Sequence, residues 1–114
     1  MKFSIITAVL NNRETISDCI ESVASQSYKF IEHIIIDGLS TDGTIDIIKD
    51  YSSRYSHIRW ISEKDNGIYN AINKGIKIST GEIIGILNSD DIFDNKEVLG
   101  KIAKAFQDYN VDSC

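Results

Sequence analysis

The chain has 114 residues, 42% of them hydrophobic and 25% charged, with 17 acidic side chains against 12 basic ones and a formal net charge of −5. That balance suits one soluble globular domain with a modest core and excludes an intrinsically disordered segment. No run of Lys or Arg relieves the negative charge, so no nucleic-acid partner is expected, and a phosphate-bearing ligand would need a metal to supply positive charge.

Phe3 to Val9 is short, apolar and rich in β-branched residues, and reads as a first strand. Its apolar run is too brief for a secretory leader, and no small-residue cleavage site follows before Asn11-Asn12-Arg13-Glu14. Ile16, Ile20, Val23 and Ala24 then mark the core stripe of a first helix. Ile31 to Ile36 is the second strand, ending at Asp37, and Ser40-Thr41-Asp42-Gly43 supplies turn and cap chemistry for a second helix carrying Ile45, Ile48 and Tyr51. Ile58 to Ile61 is a short third strand. Ile68, Ala71, Ile72, Gly75 and Ile76 fall at helical spacing, which predicts a third helix from Gly67 to Ile78, broken by Ser79-Thr80-Gly81. Ile83 to Leu87 is the fourth strand, and a last helix carries Val98, Leu99, Ile102 and Phe106. No stretch is long enough to span a bilayer. Cys19 and Cys114 match neither a metal-ligand spacing nor a disulfide framework, which fits a reduced, cytosolic setting.

Strands regularly separated by helices imply an α/β class: a Rossmann-like, three-layer α/β/α domain with a mostly parallel sheet and right-handed crossovers. In strand order 3-2-1-4 the order reverses between strands one and four, so a crevice should open where Thr7–Asn11 faces Asn88–Asp91. Gly85-Ile86-Leu87-Asn88-Ser89-Asp90-Asp91 delivers two adjacent acids to that crevice, hard oxygen ligands where open α/β sheets bind their ligands. Asp pairs after strands also serve as turn formers or helix caps. Here Asp94 with Glu97 three residues on makes a capping-box-like start for the last helix, which leaves Asp90 and Asp91 spare. Neither a Gly-x-Gly-x-x-Gly after the first strand nor a Walker loop with its Lys is present, which weighs against dinucleotide-dependent dehydrogenases and nucleoside triphosphatases.

Four stretches in order resemble the nucleotide-sugar-dependent glycosyltransferases of family 2, which have the GT-A fold: Ser4 to Asn11, Ile36 to Thr44, Asn66 to Gly75, and Gly81 to Asp91. The resemblance covers nearly the whole chain and implies one domain over residues 1–114, the N-terminal, donor-binding portion of that fold, ending before the acceptor-binding half. It implies inverting, metal-assisted transfer of a sugar to an acceptor hydroxyl, in the synthesis of cell-surface polysaccharides or glycoconjugates. Carried over position by position, it implies that Thr7, Ala8, Leu10, Asn11 and Asp37 line the nucleoside pocket and that Gly67 and Asn73 shape its floor. Asn88 and Ser89 would contact the nucleotide sugar, Asp90 would lie by the ribose and diphosphate, and Asp91, with Asp90, would hold Mn2+ or Mg2+. Departures stand beside these matches: Leu10 replaces a common aromatic, Gly38 a common second acid, Asn88 the first acid of the DxD motif, and Ile72 a frequent Arg. Inverting transfer needs a general base, which the family places downstream, so no catalytic residue is expected in this chain and turnover by it alone is not expected.

The implied partners are a nucleotide-diphosphate sugar and, through the other half, a glycan or lipid-linked acceptor, at a cytoplasmic location or at the inner face of the membrane. The resembled fold continues the sheet past strand four, so Ile83 to Leu87 would here be an apolar edge that drives homo-oligomer formation. His33 and His57 lack a partner at ligand spacing and read as structural, as do Trp60 and Tyr69, although Tyr69 lies close to the site mouth. Glu63 and Asp65 either solvate a loop or order the pocket floor. Arg13 and Lys74 are the nearest cations to the site loops and read as helix-surface residues. Two other classes remain open at this point: a non-catalytic metal- or nucleotide-binding α/β module, and a purely structural half-domain.

Overall fold

β-Branched runs buried on both faces favour parallel strands, and the longest of them become the two central strands here. A computed structural model of the protein describes residues 1–64 and 67–112. Its elements are β1 (Phe3–Val9), α1 (Arg13–Ala24), β2 (Ile31–Asp37), α2 (Thr44–Arg54), β3 (Ile58–Ser62), α3 (Ile68–Ile78), β4 (Ile83–Ile86) and α4 (Val98–Asp112). All four strands are parallel, in the order β3-β2-β1-β4. The expected fold class, strand order and reversal between β1 and β4 are therefore present.

The sheet's two faces are covered unequally. Phe3, Ile5, Thr7 and Val9 of β1 face α1, α2 and α4, where Cys19, Val23, Ile31, Leu99 and Ala103 form one cluster and Ile16, Ile20, Ile35, Ile48 and Tyr51 another. Ile6, Ile34 and Ile36 face the opposite way and pack on Ala71 of α3. That helix lies close because Gly75 has no side chain: a Cβ there would sit 2.6 Å from the Ile6 side chain.

α3 covers β1 and β2 and leaves β4 bare on this face, so Ile84 and Ile86 are 42% and 55% exposed. Ile76, expected in the helix core, is exposed as well, and Ile78 packs in its place. Ile102 likewise turns outward on α4, where Leu99 and Ala103 make the buried contacts; the Phe106 side chain lies outside the described residues.

The expected capping box does not form. Asn95 accepts the Glu97 N–H at 2.8 Å, a local turn that delays the helix, and Glu97 then accepts the Lys101 N–H from the position before Val98. The cap comes from the segment after α1 instead: Gln26 Oε1 accepts the Leu99 N–H at 3.0 Å, while its Nε2 donates to the Asn95 carbonyl at 2.7 Å.

A buried acid locks the amino-terminal ends of the strands. Glu32 of β2 accepts hydrogen bonds from Ser4 Oγ at 2.5 Å, from the Thr80 backbone N–H at 2.5 Å and hydroxyl at 2.9 Å, and from Arg59 Nη1 at 3.0 Å. Gly81 N–H in turn donates to Ser4 Oγ at 2.8 Å, in a spot so close to β1 that a Cβ would lie 2.7 Å from the Ser4 nitrogen. Burial works to raise the Glu32 pKa, but the hydrogen bonds from Ser4, Thr80 and Arg59 outweigh it and hold the carboxyl down at about 2. Because the folded pKa lies below the ordinary value near 4.5, the stabilisation is complete above that value and is lost as pH falls towards 2. Glu32→Gln should cost on the order of 2–3 kcal/mol at neutral pH in urea denaturation and flatten the loss of stability between about pH 4.5 and pH 2. An unchanged acid-unfolding profile would contradict this.

Candidate functional site

At the carboxyl edge of the sheet, hydrogen bonds stitch the loops after β1 and β2 together. Val9 O accepts the Gly38 N–H at 3.0 Å, Ser40 Oγ accepts the Asn11 N–H at 2.8 Å, and Asn11 Oδ1 accepts the Thr41 N–H at 2.7 Å. Within this stitched segment Asn11 has φ 50° and Leu39 φ 68°, left-handed backbone that non-glycine residues adopt at a cost of about 1 kcal/mol. Asp42 joins two helix starts, accepting the Thr44 N–H at 3.0 Å and the Arg13 N–H at 3.2 Å, and the Thr44 hydroxyl is the main cause of its lowered pKa. Asn11, Asn12, Arg13, Glu14, Thr15 and Asp42 line an open cleft of ≈ 350 Å³ at this edge.

Two of the residues expected at the nucleoside pocket turn inward. Asp37 is fully buried, and its carboxylate accepts from Ser40 N–H at 2.9 Å, Ser40 Oγ at 2.5 Å and Ser62 Oγ at 2.8 Å. It ties the β2 and β3 exits together. Thr7 is also fully buried, 2.8 Å from His33 Nε2 and 3.8 Å from Cys19 Sγ, so its side chain belongs to the core under α1. Both placements follow from strand parity: odd-numbered positions of β1 and β2 face α1, α2 and α4, and a polar residue there must find partners inside.

The remaining expected residues stay at the edge. Leu10 is 59% exposed, Asn11 is exposed and Ala8 is half-buried. Gly67 sits at φ 112° immediately before α3 and accepts the Ala71 N–H at 3.2 Å, and Asn73 is exposed on that helix. Asn88, Asp90 and Asp91 are exposed around a turn closed by the Asp91 N–H to the Asn88 carbonyl at 2.9 Å, with Ser89 buried inside it. Lys74 is engaged with Glu63 Oε1 at 3.1 Å and the Lys64 carbonyl at 2.9 Å, so Glu63 orders its loop; Asp65 and the Tyr69 side chain lie outside the described residues.

Sequence reasoning passed over the residues that hold this turn. Asn12 occupies the cap position of α1 yet makes no capping bond with its side chain; its Nδ2 donates to Ser89 Oγ at 2.8 Å instead. Thr15 Oγ1 donates to the Ser89 carbonyl at 2.9 Å, and Cys19 Sγ to the Asn88 carbonyl at 3.6 Å. An Asn before a helix reads as a cap from sequence, and only the fold shows that it is directed elsewhere. Burial, first, and then the nearby Asp91 and Asp90 carboxylates raise the Cys19 thiol to about 11 against a lowering bond from Thr7, so it is an inert thiol at neutral pH. His33, deeply buried, is pushed down to about 3 and stays neutral.

Among the described residues no group of three or more His, Cys, Asp and Glu side chains could hold a metal ion by itself. Asp90 and Asp91 are two hard carboxylates on an exposed turn, the donor set that suits Mg2+ or Mn2+ when phosphate oxygens complete the shell.

The glycosyl transferase family 2 model matches residues 4–114. The chain belongs to that family. Among curated relatives, an uncharacterized glycosyltransferase, YibD, of Escherichia coli (strain K12) is 33% identical over 90 residues, 79% of this chain and 26% of YibD. A PGL/p-HBAD biosynthesis glycosyltransferase of Mycobacterium bovis (strain BCG / Pasteur 1173P2) is 32% identical over 102 residues, 89% of this chain and 40% of that protein. The chain thus spans well under half the length of these relatives. Among solved structures, S. aureus TarS 1-349 in complex with UDP-GlcNAc superimposes with a TM-score of 0.83 at 31% identity, covering 96% of this chain and 32% of that one. The mannosyltransferase PcManGT from Pyrobaculum calidifontis, in complex with GDP-Man and Mn2+, shares the fold with a TM-score of 0.80 at 22% identity, over 86% of this chain and 30% of that one.

If Asp37 is a staple, Asp37→Asn should lower stability by about 2–3 kcal/mol in chemical denaturation, because an amide sets an N–H against the Ser40 donors. Stability within 0.5 kcal/mol of wild type, roughly the effect of an ordinary surface substitution, would contradict that role.

Proposed function

We propose that this chain binds the nucleotide-diphosphate sugar donor of a glycosyltransferase that transfers a sugar, of the hexose kind, to an acceptor hydroxyl with inversion. The observation that carries the reading is the Asp90–Asp91 pair, exposed on the turn after β4 at the sheet's switch point, in a chain of this family. Support comes from TarS, a neighbour above 30% identity seen with UDP-GlcNAc. In this reading Asp91, with Asp90, ligates Mg2+ or Mn2+, and the ion bridges to the diphosphate and draws charge off the departing group. Leu10, Asn11, Asn12 and the exposed edge of the β2 exit receive the nucleoside, Gly67 and Asn73 lie below it, and Asn88 flanks the diphosphate.

The relatives extend well beyond the shared region, and we assign the general base and the acceptor site to that remainder. The acceptor is then a glycan or a lipid-linked glycan in the synthesis of cell-surface polysaccharide or glycoconjugate, and the chain works in the cytoplasm or at the inner face of the membrane. No helix among the described residues is long and apolar enough to cross a bilayer.

Calorimetric titration of a nucleoside diphosphate with Mn2+, with chelator and into Asp91→Ala tests the site. Losing the metal-bridged contact should cost on the order of 2–4 kcal/mol of binding free energy. Binding indifferent to both metal and mutation would overturn the assignment.

A second copy of the chain is the partner we propose for the β4 edge. Ile83 and Leu87 donate to Lys2 O and Ile6 O of the β1 side, so strand alternation points the backbone groups of Ile84 and Ile86 away from the sheet. Antiparallel pairing about a two-fold axis at Gly85 would join Ile84 to Ile86 of the other copy and cover their exposed side chains. Light scattering coupled to size exclusion should show a concentration-dependent dimer for the 114-residue chain and a monomer for Ile84→Lys. A wild-type chain that stays monomeric at high concentration would contradict it.

A further inference from the structure

Asn12 at the cap of α1 and Thr15 and Cys19 on the helix lie on one stripe, at the spacing that brings successive helical turns to a common face. All three donate to the same two residues, Asn88 and Ser89: Nδ2 to Ser89 Oγ at 2.8 Å, Oγ1 to the Ser89 carbonyl at 2.9 Å, and Sγ to the Asn88 carbonyl at 3.6 Å. The bonds satisfy the buried Ser89 and fix its backbone and that of Asn88, and such a grip removes the freedom of the residues that follow. Those residues are Asp90 and Asp91. The geometry points to the polar stripe of α1 as the positioning device of the metal turn, holding the two carboxylates in place before metal and diphosphate arrive. The inference rests on the reading of that turn as a metal site.

The stripe is itself oriented from behind. Cys19 has one proton, and it goes to the Asn88 carbonyl, so its sulfur is left as an acceptor for Thr7 Oγ–H at 3.8 Å. Thr7 Oγ must then accept from His33, 2.8 Å away, which makes His33 the Nε2–H tautomer. The Nδ1 lone pair is then bare, and Nδ1 is the ring atom that lacks a hydrogen-bond partner. An unpaired acceptor costs less than an unpaired buried N–H, so the direction of the chain is the favourable one. Hydrogen bonds thus run one way from a buried imidazole through Thr7 and Cys19 to the backbone that carries the acids.

The test compares Thr15→Val, which keeps the shape and removes the donor, with Thr15→Ser, which keeps the donor. UDP and GDP are titrated with Mn2+ and with chelator. Thr15→Val should weaken Mn2+-dependent binding by about three- to tenfold, the worth of one net hydrogen bond, leave binding in chelator unchanged, and be rescued by Thr15→Ser to within about twofold of wild type. Unchanged Mn2+-dependent affinity in Thr15→Val, or no rescue by Thr15→Ser, would overturn the positioning role. Ligand-free NMR judges the inference even where wild type binds neither nucleotide, an outcome that sinks the metal-turn reading instead. There the backbone amides of Asn88 to Asp91 should shift in Thr15→Val and return in Thr15→Ser, and the nitrogen shifts of His33 should report the Nε2–H tautomer. Unmoved amides, or a Nδ1–H tautomer, would contradict the arrangement.

Discussion

The two-sided parallel pairing of β1 is the constraint from which the rest of this structure follows. Seven residues of β1 are in register with β2 on one side, Phe3 opposite Ile31 and Val9 opposite Asp37, and four are in register with β4 on the other, Phe3 opposite Ile83 and Ile6 opposite Ile86. Parallel neighbours leave all their carboxyl ends on one edge, so fixing this register fixes which loops meet. β1 reaches the edge between a strand that came before it in space and one that comes after the order reverses, and the loops beyond it must part there. Thr7, Asp37 and Ser89 are then buried behind that edge, and Asn11, Asp90 and Asp91 are exposed on it.

Acids divide by end and by depth. At the amino edge Glu32 gathers Ser4, Thr80 and Arg59 around one carboxylate, and at the carboxyl edge Asp37 gathers Ser40 and Ser62. A buried carboxylate is tolerable only when donors surround it, and each of these acids is surrounded by groups from separate elements, so each closes the sheet like a clasp. Asp90 and Asp91 have the opposite character: they are exposed, while the backbone beneath them is held from α1. Carboxylates kept in water on a fixed turn are available to a cation.

Much of the architecture was legible because the code for it is short in range. Hydrophobic runs rich in isoleucine marked all four strands, helical spacing marked the helices, and alternation of the two determined the parallel order. The acids after β4 were legible for the same reason, since nothing nearby in sequence needs them. What was hidden depends on partners distant along the chain. Thr7 and Asp37 sit beside exposed loop residues in sequence, but their strand positions turn them towards His33 and Ser62. The Asp94–Glu97 spacing matched a capping box, yet Asn95 forms a competing local turn and Gln26, more than seventy residues earlier, supplies the cap. Asn12 shows the converse: it stands at the cap position of α1, and its amide donates to Ser89 instead.

Paramagnetic broadening of amide signals by Mn2+, in the presence of a nucleoside diphosphate, addresses the central claim most directly, because it locates the ion without relying on turnover. An ion held by the turn after β4 should broaden the amides of Asn88 to Ile92 first, then those of Asn12 to Thr15 at the start of α1. The amides around Glu32 and Thr80, at the opposite edge of the sheet, should stay sharp. Broadening centred on the Asp42–Asp46 segment or on Glu63, or broadening that does not depend on the nucleotide, would place the ion elsewhere and contradict the account.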